Sequence, residues 1–151
     1  MIVFRLSKSR YSRDLSGCGA RKSGGRWNSK GVSMIYTSES RALCTAEIAV
    51  HTPLGNLPPD YDLITLFIED QVKIFELKPS DLPKNWKEHL TSTQRAGDEF
   101  IRQANYLIMK VPSAVVQGDS NFLLNPDHPE IGKVKIQKTE GFGFDKRLFI
   151  R

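Results

Sequence analysis

The sequence predicts an α+β domain, compact and built on a curved, mixed sheet. Strand-like runs outnumber helical ones, and the two do not alternate in a regular β–α repeat. No internal repeat, low-complexity tract or glycine/serine linker divides the chain. Its 151 residues fit one domain spanning 1–151, and 39% hydrophobic residues supply one core.

The elements follow in order. Met1 to Leu6 alternates like a first strand. Ser7 to Lys30 is polar and holds Gly17, Gly19, Gly24 and Gly25 among Arg10, Arg13, Arg21, Lys22 and Arg26. It is too long for a turn, and loops of this length are often functional. Val32 to Thr37 predicts a short strand. Ser38 or Ser40 can cap a helix to about His51, its apolar stripe formed by Ala42, Leu43, Ala46, Ala49 and Val50. Pro53 stops it. Strands are predicted over Asp62–Glu69 and Val72–Leu77, then a helix over Thr91–Asn105 facing inward through Phe100, Ile101 and Ala104. Tyr106–Val111 and Ala114–Val116 predict strands broken by Pro112, and Asn121–Pro129 a loop. Lys133–Lys138 and Arg147–Ile150 predict closing strands.

No apolar run is long enough for a membrane span. The N-terminus turns polar too soon for a signal peptide, so a cytoplasmic protein is expected. The two cysteines, Cys18 and Cys44, form no C-x-x-C pair, and His51, His89 and His128 lie at no metal-ligand spacing from them. No zinc site is expected. A net charge of +5 suits an anionic partner such as a nucleotide, a nucleic acid or an acidic protein, and equally an ordinary solvated surface.

The most unusual string is Gly24-Gly25-Arg26-Trp27-Asn28. Glycines let backbone approach a ligand closely. Arg26 offers a planar fork that matches phosphate oxygens, although an ordinary surface arginine reads the same way. Trp27 can be a stacking surface or, more commonly, a core anchor. Tyr36 ends a core-like strand and can be a buried tyrosine or a ring facing a planar heterocycle. Glu47 borders the apolar stripe of its helix, where a carboxylate must find partners, His51 four residues on being one. Ser113 and Asn121 read locally as turn residues. No G-x-S-x-G elbow, Walker sequence or G-x-G-x-x-G opening a helix occurs.

Taken in order, several strings form a pattern. They are Gly25-Arg26-Trp27-Asn28, Gly31, Tyr36-Thr37, Ala46-Glu47 with His51, Val111-Pro112-Ser113-Ala114-Val115-Val116, and Asn121 through Pro129. With these the chain resembles the RES-domain proteins, toxins of bacterial RES–Xre toxin–antitoxin pairs, over nearly its whole length. The resemblance implies a fold similar to the ADP-ribosyltransferases. It implies cleavage of NAD⁺ at the nicotinamide–ribose bond, by phosphorolysis to nicotinamide and ADP-ribose 1″-phosphate. Transfer of ADP-ribose to a protein is the alternative. NAD would be substrate, inorganic phosphate co-substrate, and no prosthetic group would be needed. Arg26, Tyr36, Glu47 and Ser113 match the catalytic positions, Ser113 being a better match than Ser120. Arg26, Trp27, Asn28, Tyr36 and Asn121 would bind substrate. An Xre-type helix-turn-helix antitoxin is the implied partner of a homodimer within a larger complex, with nucleic acid met only through the antitoxin. A basic RNA-binding or RNA-cleaving toxin is the reading of another class, its phosphate-tracking stripe running from Arg10 to Arg26.

Overall fold

The computed structural model describes residues 1–150. Seven strands form one open sheet: β1 (Ile2–Lys8), β2 (Ile35–Ser38), β3 (Tyr61–Ile68), β4 (Ile74–Glu76), β5 (Ile108–Pro112), β6 (Ser120–Leu124) and β7 (Val134–Phe142). Their spatial order is β4-β5-β6-β2-β1-β3-β7. Only β4 and β5 run parallel; every other pairing is antiparallel, so the sheet is mixed. Among the described residues three α-helices accompany the sheet: α1 (Cys18–Ser23), α2 (Arg41–His51) and α3 (Leu90–Gln103).

Pleating sorts the middle of the sheet into two faces. Met109, Leu123 and Tyr36 stand opposite one another across β5, β6 and β2, as do Ile108, Leu124 and Ile35 one step along. The first row packs with Trp27, Met34, Trp86 and Phe100. The second packs with Val3, Ile64, Leu66 and Leu107, flanked by Leu15 and Ile131. Val111, Asn121 and Ser38 form a further row on the Tyr36 face, and that row positions the site.

Ser40, not Ser38, caps α2, its hydroxyl accepting from the Leu43 N–H at 3.0 Å. The buried residues of α2 are Leu43 and Cys44, while Val50 is 58% exposed. The inward face is thus rotated from the predicted alanine-rich stripe, because alanines have too little area to set a helix's orientation. Glu47, one turn beyond Leu43 and Cys44, is carried inward. In α3 the buried residues are Thr93, Gly97 and Phe100. Ala104, expected to face inward, is the left-handed C-cap at φ 52°.

Four local predictions are corrected. Ala114–Val116 is not a strand: the Ser113 hydroxyl accepts from the N–H groups of Val115 and Val116 at 3.1 and 3.0 Å, closing a turn. Arg147–Ile150 is not a strand either, since the Asp145 carboxylate caps a single 3₁₀ turn, Lys146–Leu148. Asn121 opens no loop. It lies within β6, a central strand whose Phe122, Leu123 and Leu124 are buried. The long polar segment, read as loop, contains α1.

Candidate active site

A cleft of about 670 Å³ opens between β1, β2, α2 and the Gly24–Trp27 loop. Its lining includes Arg5, Arg26, Trp27, Tyr36, Glu47 and Asn121. Five of the sequence-predicted residues, Arg26, Trp27, Tyr36, Glu47 and Asn121, therefore converge on it from four separate elements, while Asn28 and Ser113 do not line it.

Glu47 is held from two sides. Its Oε1 accepts from the Ser113 hydroxyl at 3.1 Å and from the Asn121 amide at 2.7 Å. Asn121 is oriented in turn, because its own carbonyl oxygen accepts from the Ser38 hydroxyl at 2.7 Å. Among the described residues nothing donates to Glu47 Oε2. One oxygen is thus locked and the other is free for a ligand. Ser113 is itself 2% exposed and does not line the cleft. Its hydroxyl joins the 113–116 turn to Glu47. Ser120 meets a different carboxylate, its N–H donating to Glu39 at 2.9 Å.

Tyr36 lines the cleft, and its hydroxyl is engaged by the Gly24–Trp27 loop and Asn28. That hydroxyl donates to Asn28 Oδ1 at 2.6 Å and accepts from the Trp27 N–H at 3.0 Å. Burial raises its pKa well above the ordinary phenol value, only partly offset by the Trp27 N–H. A phenolate base is excluded at neutral pH. Gly25 is required beside it, since a Cβ there would lie 2.6 Å from the Tyr36 oxygen.

Asn28 does not reach the cleft. It is fully buried, and its amide donates to the carbonyls of Ala20 at 2.8 Å and Val32 at 2.9 Å. Its place is beneath the site, where it holds the loop and the Tyr36 hydroxyl. Trp27 is 2% exposed and packs against Trp86 with ring centroids 6.0 Å apart, the core-anchor arrangement, with its edge at the cleft wall.

Arg26 lies over the Trp86 ring, 5.9 Å from its centroid, and donates to the carbonyls of Trp86 at 3.5 Å and Lys87 at 3.1 Å. A guanidinium has five N–H donors, so most of its fork stays available. Arg5 is a second cation that sequence reasoning passed over. It donates to the Asp14 carbonyl at 2.5 Å, and burial pushes its pKa below the ordinary arginine range, with Asp14 opposing. A largely buried guanidinium with most donors unused is a ready anion site. The available signal was an arginine set among the apolar residues Ile2, Val3, Phe4 and Leu6 of β1. Cys44 and His51 also line the cleft. The Cys44 thiol donates to the Phe4 carbonyl at 3.2 Å, and burial lifts its pKa to about 11, so it is no nucleophile at neutral pH.

Two cations, a half-locked carboxylate and two aromatic rings thus share one cleft. The RES domain family model matches residues 2–145, and the chain belongs to that family. It is 33% identical over 153 residues to "Toxin Res" of Photorhabdus laumondii subsp. laumondii, covering 98% of this chain and 97% of that protein. It is also 33% identical over 139 residues to "Prs ADP-ribosylating toxin" of Sphingobium sp., covering 89% of this chain and 86% of that protein. Among solved structures it is similar to the M. tuberculosis MbcT–MbcA toxin–antitoxin complex, with a TM-score of 0.76 and 21% identity over 98% of this chain and 86% of that one. The shared architecture agrees with the α+β class that the sequence predicted. No helix among the described residues is long and apolar enough to cross a membrane.

Proposed function

We propose that this chain is the toxin of a type II toxin–antitoxin system, and that it cleaves NAD⁺ at the nicotinamide–ribose bond by phosphorolysis. The observation that carries this reading is Glu47: one oxygen fixed by Ser113 and Asn121, the other unbonded, in a cleft with two arginines. Membership of the RES family and relatives named as toxins support it.

The chemistry suits these residues. Nicotinamide leaves NAD⁺ as a neutral ring, so its departure needs no general acid. The ribose gains oxocarbenium character, as in glycoside cleavage. Glu47 Oε2 supplies the negative charge that stabilises it, or holds the ribose hydroxyls. Locking Oε1 removes the cost of orienting the carboxylate during reaction. Arg5 and Arg26 bind anions, one taking the pyrophosphate of NAD⁺ and the other leaving donors for the attacking phosphate. The Tyr36 ring packs on the nicotinamide or ribose. In this reading Trp27 and Asn121 line the substrate site, while Ser113 and Asn28 position what touches it. An Xre-type antitoxin would cover the cleft of a toxin homodimer; of this, the toxin–antitoxin complex with a similar fold supports an antitoxin partner alone.

The name of the Sphingobium relative favours one second reading, transfer of ADP-ribose to a protein. A single assay separates the outcomes: incubate the protein with NAD⁺, with and without phosphate, and with RNA. Loss of NAD⁺ only when phosphate is present, giving ADP-ribose 1″-phosphate, is the expected result. Loss without phosphate would indicate hydrolysis, and labelled protein would indicate transfer. RNA cleavage with NAD⁺ untouched would overturn the proposal.

A further inference from the structure

The loop that carries Arg26 is closed by one internal bond, the Gly25 N–H donating to the Asn28 carbonyl at 2.9 Å, and is held from outside as well. It is gripped by one face of α3, a helix that contributes nothing to the lining of the cleft. Gln94 Nε2 donates to the Gly25 carbonyl at 2.9 Å and to the Asn28 carbonyl at 3.3 Å. Thr93 Oγ1 lies 2.6 Å from the Arg26 carbonyl oxygen, donating to it, and 3.0 Å from that of Leu90. The Asp98 carboxylate accepts from the Ser29 N–H at 2.9 Å and its hydroxyl at 2.6 Å. Between them the Trp27 carbonyl lies against Gly97, so closely that a Cβ at 97 would sit 1.6 Å from its oxygen. Positions 93, 94, 97 and 98 form one helical stripe, and every one of them meets the 25–29 segment.

We infer that α3 is a positioning latch for the Arg26 loop, with Thr93 and Gln94 as positioning residues that set where the guanidinium meets an anionic substrate. The loop carbonyls they hold flank the Arg26 Cα, and Thr93 is fully buried, so its hydroxyl has no water to substitute for that carbonyl. Releasing the carbonyls frees the backbone that aims the fork, while Glu47, on α2, keeps its own supports. The consequence is a split: the latch governs substrate binding and leaves the bond-breaking step nearly intact. The kinetic half of this inference rests on the NAD⁺ reading; the structural half does not.

Three variants test it: Thr93→Val, which keeps the volume and loses the hydroxyl, Thr93→Ser, which keeps the hydroxyl, and Gln94→Ala. Phe100→Leu, a core change on the same helix, serves as the stability control. Amide hydrogen exchange over residues 24–29 is measured in all four, together with KM and kcat for NAD⁺. Thr93→Val and Gln94→Ala should accelerate exchange in that segment at least tenfold. They should raise KM at least fivefold while kcat stays within about threefold. Thr93→Ser should restore both, and Phe100→Leu should change neither. Unchanged exchange in the segment overturns the latch whether or not NAD⁺ is turned over. Accelerated exchange with wild-type KM, or a rise in KM equal to that of Phe100→Leu, overturns its functional role. A wild-type protein that leaves NAD⁺ intact counts against the proposed function alone, since the exchange measurement still decides the latch.

Discussion

At the scale of single residues, the Glu47 carboxylate is the group whose charge the proposed NAD⁺ cleavage would use. Replacing it with glutamine keeps the volume and one acceptor oxygen for Ser113 and Asn121, but removes the negative charge. Turnover of NAD⁺ should then fall by about 10²-fold or more, with the thermal midpoint little changed. Steady-state kinetics and a melting curve check this, and full turnover in the Glu47→Gln variant would sink the assignment. Ser113→Ala should act more weakly, since Asn121 still donates to Oε1. The two cysteines make a separate prediction. Cys18 is half-buried and Cys44 is buried, with its thiol held protonated up to about pH 11. At about pH 8, iodoacetamide should modify Cys18 well before Cys44, as peptide mass analysis will show. Comparable labelling of both would contradict the burial described. Legibility differed between these residues. Arg26 and Tyr36 stood out by local composition and order, and Glu47 by its helical phase. Arg5 did not, because a lone charge in a strand says nothing of which cavity it faces.

At the scale of elements, α3 and β6 show how context overrides local preference. Gly97 lowers helix propensity, yet it sits mid-helix because the Trp27 carbonyl leaves no room for a side chain. Gly97→Ala should therefore destabilise the protein by about 2 kcal/mol or more, the cost of overpacking against backbone. An exposed glycine-to-alanine change in a helix would normally do the reverse. Chemical denaturation measures the sign, and a stabilised Gly97→Ala variant would remove the close approach on which the latch depends. In β6, the turn-forming tendency of Asn121 is overruled by pairing with β2 on one side and β5 on the other. The strand that carries it is short, and three consecutive buried residues mask the alternation that marks a half-exposed strand. The turn after Ser113 is the converse case: two valines favour extension, but one hydroxyl accepting two backbone N–H groups fixes a turn.

At the scale of the whole molecule, burial of uncharged acids makes alkaline pH the weak side. Unfolded cysteine titrates near 9.0, whereas Cys44 in the fold titrates at about 11. A folded pKa above the unfolded one means the contribution is complete below pH 9 and is lost as pH rises through 11, where the unfolded chain binds fewer protons. Tyr36 shifts in the same direction by burial and extends the loss to higher pH. Unfolding free energy should thus fall on the alkaline side, Cys44 accounting for on the order of 2 kcal/mol of it. Denaturant midpoints between about pH 7 and pH 11 measure the slope. The Cys44→Ala variant should show a flatter one; an unchanged slope would show that Cys44 does not drive it. The exposed pairs, such as Lys138 with Glu140 at 3.3 Å, should contribute little and be screened by salt.

By itself the sequence determined the α+β class, the helix carrying Glu47 and the one that became α3, and the order of strings whose resemblance to the RES-domain proteins implied Arg26, Tyr36, Glu47, Ser113 and Asn121 as a set. These are properties of composition, periodicity and order, which a linear string preserves. Only the tertiary structure decided which oxygen of Glu47 is free, that Asn28 lies beneath the site and not in it, that Arg5 joins Arg26, and that α3 holds the loop. The physical reason is range. Ser113 and Glu47 are 66 residues apart, and Gln94 and Gly25 are 69. Hydrogen bonds across such separations follow from strand register and helix placement, which no local preference encodes.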